Sequence, residues 1–234
     1  MMLEILPRGI RFDGHVLVAG FHGIGATGYW TVKYLVQKLK AERVAFIDSN
    51  LMAPICSVYQ GKLVTPHEIL KKDSLAFLKI DVPVYKEHEV SFYREFAKWV
   101  VDAGFREVAL IGGLDSSLKS DDTTYRIAYT KKFIPRGELA EAKVLEDEHV
   151  IVGPVAIMLN YFEMVEFPAF AILAYASTER VDPRATATAV SILSRLYDFE
   201  VDITPLIRGA EAIEAELYRR SVKEERRGGE SIYT

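Results

Sequence analysis

Two kinds of hydrophobic pattern alternate along the chain. Short runs of consecutive apolar residues are typical of parallel strands buried on both faces, and apolar residues spaced three or four apart are typical of amphipathic helices. The pattern predicts core strands at 16–19, 43–48, 75–80, 107–113 and 169–175, and helices from 26, at 88–103, at 155–165 and at 183–197. The repeated alternation predicts an α/β fold, with a mostly parallel sheet sandwiched by helices.

Shorter segments add detail to this arrangement. Residues 55–60 and 62–65 are β-like and meet at Gly61, which predicts a hairpin at one end of the sheet. Residues 125–129 alternate as a half-buried strand does, and further strands are predicted at 149–154 and 200–203.

The first predicted strand leads into a loop with glycines at positions 20, 23, 25 and 28. Gly23, Gly25 and Gly28 satisfy G-x-G-x-x-G, and Asp48 ends the next predicted strand about 20 residues further on, as a dinucleotide site requires. Glycines at a strand-to-helix turn also serve packing alone. The loop therefore leaves two interpretations open, a nucleotide site or a structural turn.

Composition excludes several classes of protein. The 234 residues are half apolar and carry a net charge of −4, so a sizeable core is expected and a basic nucleic-acid-binding field is not. One cysteine suits a reducing compartment, and neither a signal peptide nor a membrane span is recognisable. We expect a soluble, cytoplasmic protein. The scarcity of asparagine and glutamine, two of each, favours a thermophilic source.

Candidate catalytic chemistry is sparse. The five histidines are scattered without metal-ligand spacing, and Asp115-Ser116-Ser117 has no histidine nearby in the sequence. His22, in the glycine loop, and Cys56, in an apolar run, are both interpreted as structural, with Cys56 expected to be a buried, inert thiol. We therefore predict no catalytic residue, no metal, no cofactor and no enzymatic activity.

The last part of the chain differs from the rest. Its apolar residues form a narrow stripe of Leu206, Ala210, Ile213 and Leu217 on an otherwise charged segment, which predicts a helix on a surface or along a seam. The predicted organisation is an α/β domain over 1–205, a charged helix over 206–227 stopped by Gly228-Gly229, and a flexible tail over 228–234.

The tail ends in Ile232-Tyr233-Thr234. These residues combine an apolar anchor, an aromatic ring with a hydroxyl group, and an α-carboxylate that a lysine of a partner could pair. They are the candidate partner-binding residues.

With these residues in view, the chain resembles the PAC2 family, the archaeal homologues of eukaryotic proteasome-assembly chaperones. The resemblance covers about residues 10–217. It rests on Gly20-Phe-His-Gly-Ile-Gly25, where His22 replaces the usual proline, and on Asp48, Gly61 with Pro66, Gly112-Gly113, Gly153-Pro154 and Asp182-Pro183.

The resemblance implies a phosphorylase-like topology, no known catalytic activity and a structural role for Gly20, Gly23, Gly25 and Gly28. It also implies that the last three residues are similar to the hydrophobic-Tyr-X tails that dock between neighbouring 20S proteasome α-subunits. Ile232 would then fill an apolar site, Tyr233 would hydrogen-bond through its hydroxyl, and the Thr234 carboxylate would pair with a pocket lysine.

Three hypotheses follow. The favoured one is a proteasome-assembly-chaperone-like protein that binds proteasome α-subunits; the second is an adaptor for a different protein; the third is an enzyme that holds a nucleotide or NAD on the glycine loop. A single short tail binds weakly because ordering it costs free energy, whereas several tails on one assembly gain through effective concentration. We therefore expect a homo-oligomer.

Overall fold

The computed structural model describes residues 3–230, with side chains up to Leu217 and that of Arg219. The strands are β1 (Glu4–Leu6), β2 (Val16–Gly20), β3 (Glu42–Asp48), β4 (Ser57–Tyr59), β5 (Lys62–Val64), β6 (His67–Lys72), β7 (Leu75–Ile80), β8 (Glu107–Asp115), β9 (Tyr125–Tyr129) and β10 (Ala169–Ala176). The α-helices are α1 (Thr27–Lys38), α2 (Glu89–Asp102), α3 (Pro154–Met164), α4 (Pro183–Tyr197) and α5 (Thr204–Glu230). The α/β class predicted from the sequence is confirmed.

The central sheet has the strand order β1-β3-β6-β7-β2-β8-β10-β9. Strands β7, β2, β8 and β10 run parallel, and both flanks of the sheet pair antiparallel. The sheet is therefore mixed, with a parallel centre, and is less parallel than the sequence pattern predicted. We call the edge at which the four parallel strands end the carboxyl edge.

Helices cover both faces of this sheet because side chains alternate along each strand. Leu17 and Ala19 of β2 face a core built with α2 and α3. Val16 and Val18, one residue out of phase, face a second core built with α1 and α4. The predicted layer of helices on each face is confirmed.

The helices predicted at 88–103 and 183–197 correspond to α2 and α4, and local residues set their ends. The Asp182 side chain accepts hydrogen bonds from the amides of Arg184 and Ala185, and Pro183 occupies the first helical position. At the end of α2, Gly104 adopts a φ of +85°, the left-handed conformation that terminates helices.

Three of the shorter predicted segments differ in the structure. Residues 149–152 and 200–203 are not strands: Ile151 packs on the α2–α3 core, and Val201 and Ile203 pack on the α1–α4 core, without strand neighbours. Their apolar residues are therefore explained by burial against the core, and not by pairing in a sheet. The predicted hairpin exists, but β4 and β5 form a separate two-stranded sheet.

The last helix, α5, runs through Gly228 and Gly229 to Glu230, so the predicted stop at 227 is wrong. A glycine within a helix costs about 1 kcal/mol relative to alanine, but it leaves the backbone hydrogen bonds intact. Ile232, Tyr233 and Thr234 lie outside the described residues. None of the helices that the structure describes is both long enough and apolar enough to cross a membrane.

Candidate protein-interaction face

The glycine loop after β2 is packed against backbone on several sides. A Cβ atom on Gly20 would lie 2.1 Å from the Gly28 carbonyl oxygen, and one on Gly28 would lie 2.3 Å from the Ile111 carbonyl oxygen. Gly25 has a φ of +62°, and a Cβ there would lie 2.6 Å from the Ala176 Cβ. Three of the four glycines therefore allow α1 to approach β2, β8 and β10 closely.

Gly23 is in different surroundings. Its φ of −157° is extended backbone open to any residue, and a Cβ atom on it would meet nothing within 4 Å. Its carbonyl accepts a hydrogen bond from the Ala26 amide at 2.8 Å, an interaction that every residue type can make. Gly23 is therefore the member of the loop that packing does not require.

The topology does not fit a dinucleotide site at this loop. In such sites the strand that ends in the ribose-binding acid lies next to the strand that leads into the glycines. Here β6 and β7 separate β3 from β2, which places Asp48 three strand spacings away, roughly 14 Å. The Gly25 carbonyl also accepts a hydrogen bond from the Asp182 amide, which closes the loop against α4. The strand order therefore contradicts the dinucleotide arrangement in which Asp48 would hold a ribose beside this loop.

His22 lies in the glycine loop and stacks on Tyr29, with ring centroids 4.0 Å apart and planes at 25°. Desolvation lowers the pKa of His22, and the Lys33 ammonium adds to this effect while the Asp81 carboxylate opposes it. The Lys33 ammonium donates to the Tyr29 hydroxyl at 2.7 Å. His22 therefore packs by stacking on a tyrosine whose hydroxyl is bonded to Lys33.

A chain of ion pairs continues from this point towards β6. Lys79 pairs with Asp81 and, at 3.4 Å, with Glu68, which also accepts from Arg43 at 2.9 Å. Desolvation would raise the pKa of the buried Glu68, but Arg43, Lys79 and Thr65 together outweigh it and lower that pKa. The two positive and two negative side chains balance in charge. Because Glu68 also accepts hydrogen bonds from Thr65, the cluster holds the loop before β6 at the carboxyl edge.

The structure also bears on metal binding and on Cys56. Among the side chains that the structure describes, no three His, Cys, Asp or Glu residues are placed to hold a metal ion. Cys56 is exposed and not buried as predicted, because the hairpin stands off the main sheet and leaves the preceding segment in solvent.

The distribution of exposed apolar side chains is more informative. More than half of the large exposed apolar residues in the described part of the chain lie in segments that follow or face the carboxyl edge. The members are Trp30, Ile55, Val58, Tyr59, Leu63, Tyr85, Val90, Leu118, Val150, Val152 and Val181. Grouped exposed apolar residues mark surfaces for binding proteins, so this edge is the candidate interaction face.

The hairpin contributes most to this face. Val58 and Leu63 are opposite each other in the β4–β5 pair and are 69% and 58% exposed, while Tyr59 points to the other face and is 63% exposed. An isolated two-stranded hairpin is marginally stable, and this one exposes apolar side chains on both faces. Sequence reasoning missed it as a site. The available signal was a hairpin whose two faces are both apolar.

Helix α5 reaches the same edge. The Tyr34 hydroxyl donates to the Asp202 carbonyl at 2.5 Å, fixing the chain before α5 beside the middle of α1. Further along α5, Gly209 faces Pro183, and Arg184 of the first turn of α4 donates to Glu214 at 2.8 and 2.9 Å. Residues 215–230, about 24 Å of helix, follow beyond this contact.

An open groove lies at the opposite end of the sheet from the carboxyl edge. It has a volume of about 410 Å³ and lies between the end of β9 and the last turns of α3, lined by Tyr129, Lys131, Leu159, Asn160 and Glu163 among others. The Lys131 amide donates to Glu163 at 2.8 Å, so the carboxylate in this groove is already engaged.

Comparison with known proteins gives consistent matches over the whole chain. The family model of the PAC2 family matches residues 17–220. PbaA of Pyrococcus furiosus, an archaeal homolog of proteasome-assembly chaperone, has a structure that superposes with a TM-score of 0.76 at 19% identity, covering 100% of this chain and 98% of that chain. PbaB of the same organism, an archaeal proteasome activator, gives a TM-score of 0.74 at 20% identity, covering 94% and 99%.

A sequence relative is an uncharacterized protein of Methanocaldococcus jannaschii. It is 22% identical over 209 residues, which cover 89% of this chain and 86% of the relative. At these identities the likeness to solved structures shows a common fold.

Proposed function

The chain belongs to the PAC2 family, and on that premise we propose that it is a non-enzymatic, proteasome-assembly-chaperone-like protein that binds proteasome α-subunits. The observation that carries the proposal is the whole-chain similarity to PbaA and PbaB, one a homolog of a proteasome-assembly chaperone and the other a proteasome activator. The cytoplasmic location, the archaeal and thermophilic source and the phosphorylase-like topology expected from the sequence accompany this proposal.

In this proposal, Ile232-Tyr233-Thr234 supplies one contact with the partner. Ile232 fills an apolar site between neighbouring α-subunits, the Tyr233 hydroxyl forms a hydrogen bond, and the Thr234 carboxylate pairs with a lysine. Because α5 passes the carboxyl edge at the Arg184–Glu214 contact, the tail follows in sequence a helix that has already reached the candidate interaction face. This placement supports a role for the tail in reaching a partner.

The apolar carboxyl edge supplies the second contact. Val58 and Leu63 of the hairpin, and Tyr85 in the loop after β7, present large exposed side chains that a partner would desolvate. A homo-oligomer would present several copies of both contacts to a ring of repeated α-subunits, and effective concentration would then raise the affinity of each weak tail.

A second candidate function is that of an adaptor for a different protein. The exposed apolar face favours it, since that surface can bind a partner without the tail. In that case, the hydrophobic-Tyr-X ending would be coincidental, and the partner would depend on the hairpin instead.

Native mass spectrometry with the α-subunits of the same organism tests these alternatives. The full chain, a variant lacking Ile232-Tyr233-Thr234, and the hairpin variant Val58→Ser/Leu63→Ser would each be mixed with the α-subunits. The variant Ser231→Ala, changed next to the three residues, serves as the matched control.

We expect a complex with the full chain and with Ser231→Ala, and loss of that complex on removal of the last three residues. A complex that survives the deletion but is lost in the hairpin variant would assign α-subunit binding to the carboxyl edge and contradict the role of the tail. Absence of any complex with the full chain would contradict the proposed partner and favour the adaptor.

A further inference from the structure

The last strand of the sheet, β9, carries a fully buried charge. The Arg126 side chain is only 1% exposed, although β9 has a strand neighbour on one side only. Its guanidinium donates to Glu146 Oε1 at 2.6 and 2.8 Å, donates to Asp121 Oδ2 at 3.0 Å, and lies over the Tyr175 ring at 5.3 Å. A buried guanidinium requires such carboxylates, since leaving it unpaired is costly.

The segment that supplies Glu146 also covers the outer edge of β9. The Ile127 amide donates to the Lys143 carbonyl at 3.0 Å, and the Leu145 amide donates to the Ile127 carbonyl at 2.8 Å. Val144 is thereby a parallel bridge partner of Ile127. We call residues 143–147 the strap.

The strap is held by few interactions. Besides the two backbone bonds and the Arg126–Glu146 pair, the Lys143 ammonium pairs with Asp121 at 2.6 Å, and the Leu145 side chain is partly buried. Val144 is 51% exposed, and Lys143 is exposed as well. Opening a segment with few buried contacts costs less free energy than unfolding the core does.

Opening of the strap would change β9 in two ways. The Ile127 amide and carbonyl would become an unpaired sheet edge, which is a template for an added strand. At the same time, Arg126 would lose the carboxylate of Glu146 and would retain Asp121. An incoming segment that brings a carboxylate to that position would restore the pair.

We propose that the strap is a displaceable cover, and that β9 is a binding site for an extended segment of a partner protein that carries apolar residues followed by an acidic residue. The strap itself, with Val144, Leu145 and Glu146 in order, is the template for that chemistry. The incoming segment pairs with Ile127 through its backbone and with Arg126 through its carboxylate. This site adjoins the carboxyl edge, since Asp121 belongs to the loop after β8, but it does not depend on the identity of the partner proposed above.

Amide hydrogen exchange measured by NMR tests the displaceable cover. The Ile127 amide faces the strap, whereas the amide of Ala128, the next residue, faces β10. We expect Ile127 to exchange by local opening, at least about tenfold faster than Ala128 and with little dependence on denaturant. Equal rates and equal denaturant dependence for the two amides would overturn the proposal.

Variants of the strap sharpen this test. Glu146→Ala should accelerate Ile127 exchange by a further factor of about ten while leaving Ala128 exchange within about threefold. Glu148→Ala, an exposed carboxylate just outside the strap, is the matched control and should change neither amide. Lys143→Met, which removes only the Asp121 pair, serves in place of Glu146→Ala if that variant does not fold. Unchanged Ile127 exchange in the folded strap variant would contradict the proposal.

A peptide of residues 141–149, capped at both ends, tests the partner chemistry on the Glu146→Ala protein. We expect saturable binding that slows Ile127 exchange again, and at least about fivefold weaker binding of the same peptide carrying Glu146→Ala. Equal binding of the two peptides would show that Arg126 does not contribute to recognition of the peptide. If neither peptide binds, the proposal that β9 is a partner-binding site is wrong.

Discussion

Gly23 and Gly28 stand five residues apart in one loop, yet a side chain would meet opposite surroundings at the two positions. We expect Gly28→Ala to lower the free energy of unfolding by about 1–3 kcal/mol or more, because its Cβ would press on the Ile111 carbonyl and the Phe21 amide nitrogen. Gly23→Ala is the matched control and should change it by less than about 0.5 kcal/mol. Urea unfolding measures the free energy of unfolding of both variants. A similar decrease in the two would mean that close packing is not the reason for glycine at position 28.

The ion pairs at the strap predict a pH dependence. The Lys143 ammonium above all, with help from Thr123 and Arg126, holds the pKa of Asp121 well below its usual range, and Arg126 lowers the pKa of Glu146. A depressed folded-state pKa contributes stability above the unfolded-state value, about 4, and that contribution is lost as pH falls further.

We therefore expect the wild type to exceed Asp121→Asn in stability at pH 7 and the gap to shrink steadily below about pH 4. Thermal unfolding of both proteins between pH 7 and pH 2.5 measures this gap. A gap that is constant across the range would show that the Asp121 charge does not contribute to folding.

The sequence predicted the surroundings of some residues correctly and of others wrongly. It predicted the start of α4 at residue 183 correctly, because the Asp182 cap depends on neighbours two and three positions away. It expected Cys56 to be buried, and failed because the apolar run around Cys56 belongs to a hairpin that stands in solvent. Whether a glycine is needed for close packing likewise depends on atoms such as the Ile111 carbonyl, which are remote in sequence.

At the scale of elements, β8 and β10 were predictable because long apolar runs suit strands covered on both faces. Strand β6 was missed because it contains His67 and Glu68, two buried polar residues whose partners come from β3, β7 and the loop after β7. The antiparallel flanks of the sheet were missed for a related reason, since strand order is set by long-range pairing. The local hydrophobic pattern therefore predicts where strands and helices lie in the sequence better than it predicts the order of strands in the sheet.

Helix α5 offers a direct test at this scale. Gly209 lies within the helix, and a Cβ atom there would meet Pro183 at 3.9 Å, an ordinary van der Waals contact. We expect Gly209→Ala to raise the free energy of unfolding by about 0.5–1 kcal/mol, since alanine favours helix over glycine by that amount. Chemical denaturation measures the gain.

The reverse change at the next position is the control. Ala210 is 2% exposed against the domain, so Ala210→Gly should lower the free energy of unfolding by about 1 kcal/mol or more. If neither variant shifts stability, α5 does not unfold together with the domain, and its packing on α4 contributes little.

At the scale of the whole molecule, the carboxyl edge collects loops that are far apart in sequence. The hairpin, the loop after β7, the loop after β8 and the passage of α5 all meet there because the parallel strands end at one edge. No local pattern could show that Val58, Tyr85 and Leu118 face the same side. The candidate face therefore came from the structure, whereas the family and the tail motif came from the sequence.

The oligomeric state decides whether this face and the tail can act together. A lone copy would offer one tail, and the cost of ordering it would leave a weak complex, whereas a ring or cluster of copies would engage several pockets at once. We expect light scattering coupled to size exclusion to give a multiple of the 26.4 kDa chain mass. Removal of Ile232-Tyr233-Thr234 should leave that multiple unchanged, because we assign these residues to the partner and not to the contacts between copies. A mass of 26.4 kDa at micromolar concentration would contradict the avidity argument, and a mass that falls on truncation would assign the tail to self-association.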